Sequence, residues 1–292
     1  MTAVDEPTEP RRVPGAIEDA TEALAEGDRP LGGTALTALR HRAFRRVFIG
    51  ASLSNVGSWM QNVVLGALAY DLTGSPAFVG VMIFAQLGPV LLFAMVGGLL
   101  ADIFDRRRLL VTVAVVQTVL SLGLAAIVAP DEPNRWAIVA VVFLIGIAQA
   151  IFMPTYSAIL PGLVGSRDLA GAISLNSAQM NGSRVIGPII GAVLDDAFGA
   201  PSVFAANAVS YLFVIGALAP LSLPAPDHPE AEQGLARLSA GIRVARSNPV
   251  VGRALVTVAA FSLLALPFVG QLPVVAGENL GIEPRSGGYR PE

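Results

Sequence analysis

The residues best suited to chemistry lie in the stretch SLNSAQMNGSRVIGPIIGA, residues 174–192. Steps of four, three, four and three residues place five of them on one face of a helix: Ser177, Asn181, Arg184, Pro188 and Gly191. The stretch is apolar enough to cross a bilayer. An arginine in the middle of such a helix costs at least about 2.5 kcal/mol. Arg184 therefore needs a water-filled cavity, a partner or an anionic ligand, and the chemistry it offers is binding.

Two interpretations of Arg184 follow, since no Asp or Glu lies in the core of an apolar stretch. The guanidinium either holds helices together as a helix staple, by donating hydrogen bonds to their backbone carbonyls, or lines a path for a ligand. We favour the path. Catalysis is not indicated. The chain has no cysteine, and His41 and His228 lie outside the apolar stretches. Nothing resembles a metal site, a Ser-His-Asp set or a phosphate-binding glycine loop. We therefore expect neither an enzyme nor a cofactor.

Other polar residues interrupt the remaining apolar stretches. Taken singly, each is more often an interhelical hydrogen bond than a ligand contact. Together they are too many for helices that face lipid on every side. The predicted ligand path consists of Asn55, Trp59, Asn62, Gln86, Gln149, Asn181 and Arg184.

Seven apolar stretches position these residues. The 292-residue chain is 53% hydrophobic and 14% charged, whereas soluble domains carry about 25% charged residues. The charges are bunched between stretches of about 20 residues, the length of a spanning helix. We predict an all-α polytopic membrane protein with a six-helix bundle over 46–222 and a seventh transmembrane helix over 249–275. Residues 1–45 are predicted to be a largely disordered tail, 223–248 a linker and 276–292 a short polar tail.

The six spans of the bundle are predicted at about 47–70, 77–101, 109–129, 136–158, 169–195 and 202–222. Arginine is distributed unequally around them. Among the loops on one side, only Arg135 is basic. The flanks on the other side hold eleven arginines: Arg40, Arg42, Arg45, Arg46, Arg106, Arg107, Arg108, Arg167, Arg237, Arg243 and Arg246. Because basic loops remain cytoplasmic, the N-terminus and the linker are predicted to lie in the cytoplasm.

The loop after the second span, GGLLADIFDRRRLL at 97–110, carries a recognisable pattern. By charge alone its arginines are a topology signal in contact with anionic headgroups. The pattern resembles the loop signature of the major facilitator superfamily. The matching positions are Gly98, Leu100, Ala101, Asp102, Arg106 and Arg107. Ile103 stands where a basic residue is usual. Asp105 stands where glycine is usual, as in a branch of the superfamily that exports siderophores and drugs.

The resemblance implies that Gly98, Asp102, Arg106 and Arg107 form a conformational latch against a second half of the transporter. Two local expectations accompany it. Gly98 is expected to let two helices approach closely. Asp105 is expected to cap the N-terminus of the third span.

The fifth span carries a second pattern, Gly187 and Pro188 with Gly191. By itself it predicts a proline kink and close helix packing. It also resembles, in part, the Gly-Pro motif of antiporter-type exporters in the same superfamily, although Ser183 and Ala192 replace glycines. The two resemblances imply an exporter of a hydrophobic or amphipathic small molecule, such as a siderophore or drug. It would work by alternating access as an antiporter, with protons as the candidate coupling ion.

The resemblance covers about residues 37–275. The superfamily fold has twelve spans in two bundles, but this sequence turns polar after its seventh span. We therefore expect a fragment, a frameshifted product or a truncated gene product, which would need a second half or second copy for activity. The alternative is an inactive or scaffold half-transporter that only packs against partner helices. The basic clusters lack interleaved aromatic residues, so nucleic acid is not an expected partner.

Overall fold

The computed structural model describes residues 35–221 continuously, followed by 246–247, 249–253, 256–257 and 260. A 3₁₀ helix, Ala35–Arg40, leads into α1 (Arg42–Thr73), α2 (Pro76–Ile103) and α3 (Arg106–Val128). One helical run, Arg135–Phe198, contains α4 (135–164) and α5 (166–198), and α6 follows at Ala200–Leu218. The predicted tail up to 34, most of the linker, most of the seventh span and the segment 276–292 lie outside the described residues.

The prediction of an all-α membrane protein is confirmed. Within the described ranges there is no strand. Four of the helical segments are long and apolar enough to cross a bilayer, with mean hydropathies from 1.6 to 2.5 in their most apolar windows. The 64-residue run is one of these, and it contains two spans.

The fourth and fifth spans are joined differently from the prediction. The loop expected over 159–168 is reduced to Gly165, where φ is 72° and ψ is 171°. This conformation is essentially restricted to glycine. Pro161 and Gly162, which indicate a loop in sequence, instead continue α4. A membrane helix tolerates such residues because its neighbours support the backbone. A second glycine of the same conformation, Gly199, joins α5 to α6.

Small residues bring the helices into backbone contact. A Cβ atom on Gly97 of α2 would lie 2.9 Å from the Cα of Ile151 in α4 and closer still to the carbonyl oxygen of Ala150. A Cβ on Gly146 would lie 2.9 Å from the carbonyl oxygen of Ala85. Such contacts are typical of helix packing in membranes. The close approach expected at Gly98 is therefore made one residue earlier, and a Cβ on Gly98 meets no described atom within 4 Å.

The bundle is layered along its length. One apolar cluster, which includes Phe44, Leu110 and Leu160, lies at the end that carries most of the arginines. A second, which includes Leu65 and Phe204, lies toward the opposite end. Buried polar side chains occupy the level between them: Ser54, Gln61, Gln117, Ser121, Asn207 and Ser210. The fold therefore places a polar layer in the middle of the bundle.

Candidate functional site

A hydrogen-bond network in the polar layer joins three helices. Gln61 Oε1 of α1 accepts from Ser121 Oγ of α3 at 3.2 Å and from Asn207 Nδ2 of α6 at 2.8 Å. The Tyr211 hydroxyl lies 3.3 Å from Ser58 Oγ and 3.5 Å from Asn207 Nδ2. A buried polar group without a partner costs about 1–3 kcal/mol, so this network favours one register of α1, α3 and α6.

A cavity of about 60 Å³ opens beside this network. A water molecule needs about 10–15 Å³ of cavity volume. The cavity therefore accommodates a few water molecules or one small chemical group. Its wall comes from α1, α3, α4, α5 and α6. The larger polar residues that line it are Asn55, Gln117, Gln149, Tyr156, Asn176 and Tyr211.

Two buried atoms of the cavity wall are unpartnered. Gln117 is 1% exposed, and its Nε2 donates to Gln149 Oε1 at 3.0 Å. Its Oε1, and the hydroxyl of Tyr156, which is 7% exposed, have no hydrogen-bond partner within the described part of the chain. The wall thus contains two buried polar atoms without a hydrogen bond, one an acceptor and the other a hydroxyl able to donate or accept.

Arg184 lies on α5 against an aromatic ring of α1. Its guanidinium carbon is 5.2 Å from the centroid of Trp59, within the range of a cation–π interaction. A glycine holds the two helices close at this level, since a Cβ on Gly187 would lie 2.6 Å from Trp59 Cβ. Gly191 continues the contact, because its Cβ would lie 3.1 Å from Met60 Cα. The glycines of the second pattern therefore lie against α1, and the arginine side chain is exposed.

The structure brings some members of the predicted ligand path together. Asn55 and Gln149 line the cavity, and Trp59 and Arg184 meet. Asn181 is exposed, and its Nδ2 donates to the carbonyl of Ser177 in its own helix at 2.8 Å. Asn62 and Gln86 are half-buried and do not line this cavity.

The predicted ligand path omitted most of the cavity wall, including its larger polar residues Gln117, Tyr156, Asn176 and Tyr211. A signal existed for Gln117, a glutamine inside an apolar span. Tyr156 gave a weaker one, because tyrosine is common near the ends of membrane helices and the fourth span was predicted to end close to it.

Two arginines that follow the loop after α2 donate hydrogen bonds to backbone carbonyls of the bundle. Asp105 caps α3, as predicted, by accepting from the backbone N–H of Arg108 at 2.7 Å. Arg106 donates to the carbonyls of Ala101 and Ala158, each at 3.2 Å, and Arg107 donates to the carbonyl of Ala219. The carbonyls of Ala101 and Ala219 lie at the C-terminal ends of α2 and α6, where carbonyls lack intrahelical partners. The carbonyl of Ala158 lies inside α4, so its bond with Arg106 is a contact between α3 and α4. The latch remains a prediction.

The sequence of this chain is similar to those of known transport proteins. A family model described as transmembrane secretion effector matches residues 33–289. The chain belongs to this family of the major facilitator superfamily. It is 29% identical over 215 residues to the enterobactin exporter EntS of Shigella boydii serotype 4 (strain Sb227), which covers 73% of this chain and 51% of that protein.

A second relative is the staphyloferrin A transporter of Staphylococcus aureus (strain NCTC 8325 / PS 47). It is 29% identical over 190 residues, which is 63% of this chain and 46% of that transporter. The chain spans about half the length of the curated relatives it matches. Its membership of the superfamily agrees with the loop and Gly-Pro patterns.

Proposed function

We propose that this chain forms one half of an exporter that carries a hydrophobic or amphipathic small molecule, such as a siderophore, out of the cell by alternating access. The proposal is supported by the family and by relatives named as an enterobactin exporter and a staphyloferrin A transporter. The bundle would lie in the cytoplasmic membrane with its arginine-rich end in the cytoplasm, where basic flanks remain.

The observation that carries the proposal is the exposed polar face of α5. Ser174, Ser177, Asn181 and Arg184 are all exposed on this membrane helix. If this face of α5 contacted lipid, the Arg184 guanidinium would lose its hydration, which is costly. If the face lined a water-filled path between two bundles, the guanidinium would remain hydrated and could contact the substrate.

Export from cells tests the proposal. The full chain is expressed in bacteria that lack their own siderophore exporter, and the siderophore in the medium is measured. We expect secretion above the empty-vector level and its loss in Arg184→Gln. The matched control is Arg135→Gln, because Arg135 also lies over a tryptophan, at 5.8 Å from the centroid of Trp136, but at the start of α4. Wild-type secretion by Arg184→Gln would contradict a role in the path.

The latch and the coupling ion are parts of the same proposal. We propose that Asp102 engages the opposing half in one conformation, so Asp102→Asn should alter the balance of inward- and outward-facing states. Normal transport with an unchanged balance would refute the latch. Antiport against protons would need titratable groups, and Asp71, Asp195 and Asp196 at the helix ends opposite the arginine-rich end are the candidates within the described bundle.

The alternative is a scaffold that only packs against partner helices. Under it, the polar residues of the spans would serve helix packing alone, as Gln61 does when it accepts from Ser121 and Asn207. Under this alternative the chain would co-purify with a partner membrane protein and produce no secretion. Secretion that depends on Arg184 would exclude it.

A further inference from the structure

We infer that the cavity beside Gln117 and Tyr156 is a binding pocket for an uncharged hydrogen-bonding group, a hydroxyl or an amide, at one end of an amphipathic anion whose acid group is bound by Arg184. This inference rests on the proposed function and specifies its substrate class. The substrate would then contact two places: the path between the bundles and a neutral pocket inside this bundle.

The unpartnered atoms define what the pocket accepts. Gln117 Oε1 can only accept a hydrogen bond, whereas the Tyr156 hydroxyl can donate or accept. A hydroxyl or amide group could donate to the first, and it could donate to or accept from the second. Both side chains are more than nine-tenths buried and line the cavity, so an occupant would relieve two groups that are otherwise costly to bury.

The pocket is neutral and small. None of its described lining residues is Asp, Glu, Lys, Arg or His. A charged group entering it would lose its hydration without gaining a counter-charge. Its volume of about 60 Å³ admits only a terminal group of a larger molecule. The remainder of that molecule would lie in the path outside.

Helix geometry places a positive charge next to this pocket. Asn176 and Met180 of α5 line the cavity, and Arg184 is the next residue at a spacing of four. At 1.5 Å per residue, Arg184 lies about 6 Å further along the helix. The half-buried Trp59 ring beside it adds apolar surface next to the charge. The arrangement fits an aromatic acid that carries a hydroxyl or amide at the end opposite its carboxylate.

Equilibrium dialysis of the full chain in lipid nanodiscs tests this inference. The probes are 6-hydroxy-2-naphthoate and 2-naphthoate, which differ by one hydroxyl and are followed by their own fluorescence. We expect the hydroxylated probe to bind about tenfold more tightly, the size of one well-made hydrogen bond. Gln117→Leu should reduce this preference to below about twofold without weakening 2-naphthoate. Arg184→Gln should weaken both probes about equally.

A second variant distinguishes the loss of one hydrogen bond from misfolding of the chain. Tyr156→Phe removes only the hydroxyl and should also lower the preference. Equal binding of the two probes to the wild-type chain, or a preference retained in both variants, would overturn the inference and leave the proposed export untouched. Binding of neither probe to a chain with helical circular dichroism would also overturn it, and the secretion assay would still decide the proposed function independently.

Discussion

The guanidinium carbon of Arg184 lies 5.2 Å from the centroid of the Trp59 ring, and this contact joins α5 to α1 in the middle of the bundle. No ion pair of Arg184 occurs among residues 35–221 or the described residues of 246–260. The Arg184 side chain is also exposed. The geometry therefore leaves the charge accessible to a ligand.

Replacing Arg184 should affect binding much more than stability. An exposed cation–π contact contributes about 0.5–1 kcal/mol, so Arg184→Gln should lower the free energy of unfolding in detergent by no more than about 1 kcal/mol. In a Trp136→Phe background, which leaves Trp59 as the reporter, its fluorescence emission should shift. A loss of several kcal/mol would instead favour the helix-staple interpretation. Arg135→Gln is the control for loss of an arginine.

Gly97 and Gly98 should respond oppositely to alanine. A Cβ on Gly97 would overlap the backbone of α4 at Ala150, so Gly97→Ala should destabilise the bundle by about 1–3 kcal/mol through overpacking. Gly98→Ala meets open space in the described structure and should stabilise the helix by about 0.5–1 kcal/mol. Thermal unfolding in detergent measures both. If Gly97→Ala stabilised the bundle as much as Gly98→Ala does, α2 and α4 would not be in contact at Gly97.

Gly165→Ala should destabilise the connection between α4 and α5. At a φ of 72° and a ψ of 171°, a residue with a Cβ is strained by about 1–3 kcal/mol. Gly162→Ala is the matched control, since Gly162 is helical and exposed and a Cβ there meets no described atom. This control should be neutral or slightly stabilising. Chemical unfolding followed by circular dichroism compares the two, and a neutral Gly165→Ala would refute the assigned turn.

The 3₁₀ helix before α1 should detach in acid. Asp168, at the start of α5, lies 2.7 Å from His41 Nε2 and accepts from Thr37 Oγ1 at 3.1 Å. Hydrogen bonds from His41, then Thr37, hold the pKa of Asp168 below its ordinary value of 3.8. A lowered folded-state pKa means that the contact stabilises the fold above the ordinary value. This contribution is lost as the pH falls through the lowered pKa.

Hydrogen exchange of residues 35–40 checks this expectation. After correction for the intrinsic rate, their protection should decrease as the pH falls from about 6 to below the ordinary carboxyl value of 3.8, because the carboxylate becomes protonated. In Asp168→Asn the protection should already be low at about pH 6 and nearly independent of pH. Asp131→Asn, in the loop between α3 and α4, should retain the wild-type dependence. Protection that is unchanged in Asp168→Asn would show that the pair does not hold this segment.

The spans and the α3 cap could be predicted because their signals are local. Apolar length identifies a membrane helix, and an aspartate before a run of helix-forming residues predicts a cap. The position of close contact was wrong by one residue, since successive residues on a helix differ in direction by about 100°. Whether Gly97 or Gly98 faces α4 depends on the partner helix, which the sequence of α2 alone does not specify.

Only part of the site could be predicted, because some of its features are local and others depend on contacts between helices. Asn55 and Gln149 are polar residues in apolar spans, so their inward position followed from the cost of facing lipid. The open atoms of Gln117 and Tyr156 could not be anticipated. Which buried group finds a partner depends on distances between helices that are far apart in sequence, such as the 3.0 Å between Gln117 and Gln149.

The single-residue turn at Gly165 joins two walls of the cavity. Gln149 and Tyr156 lie on α4, Asn176 and Met180 lie on α5, and one non-helical residue separates the two helices. A change in the angle between these walls that preserved both helices would have to occur at the backbone torsions of Gly165. Because glycine has no Cβ, that residue restricts its own torsion angles less than any other would.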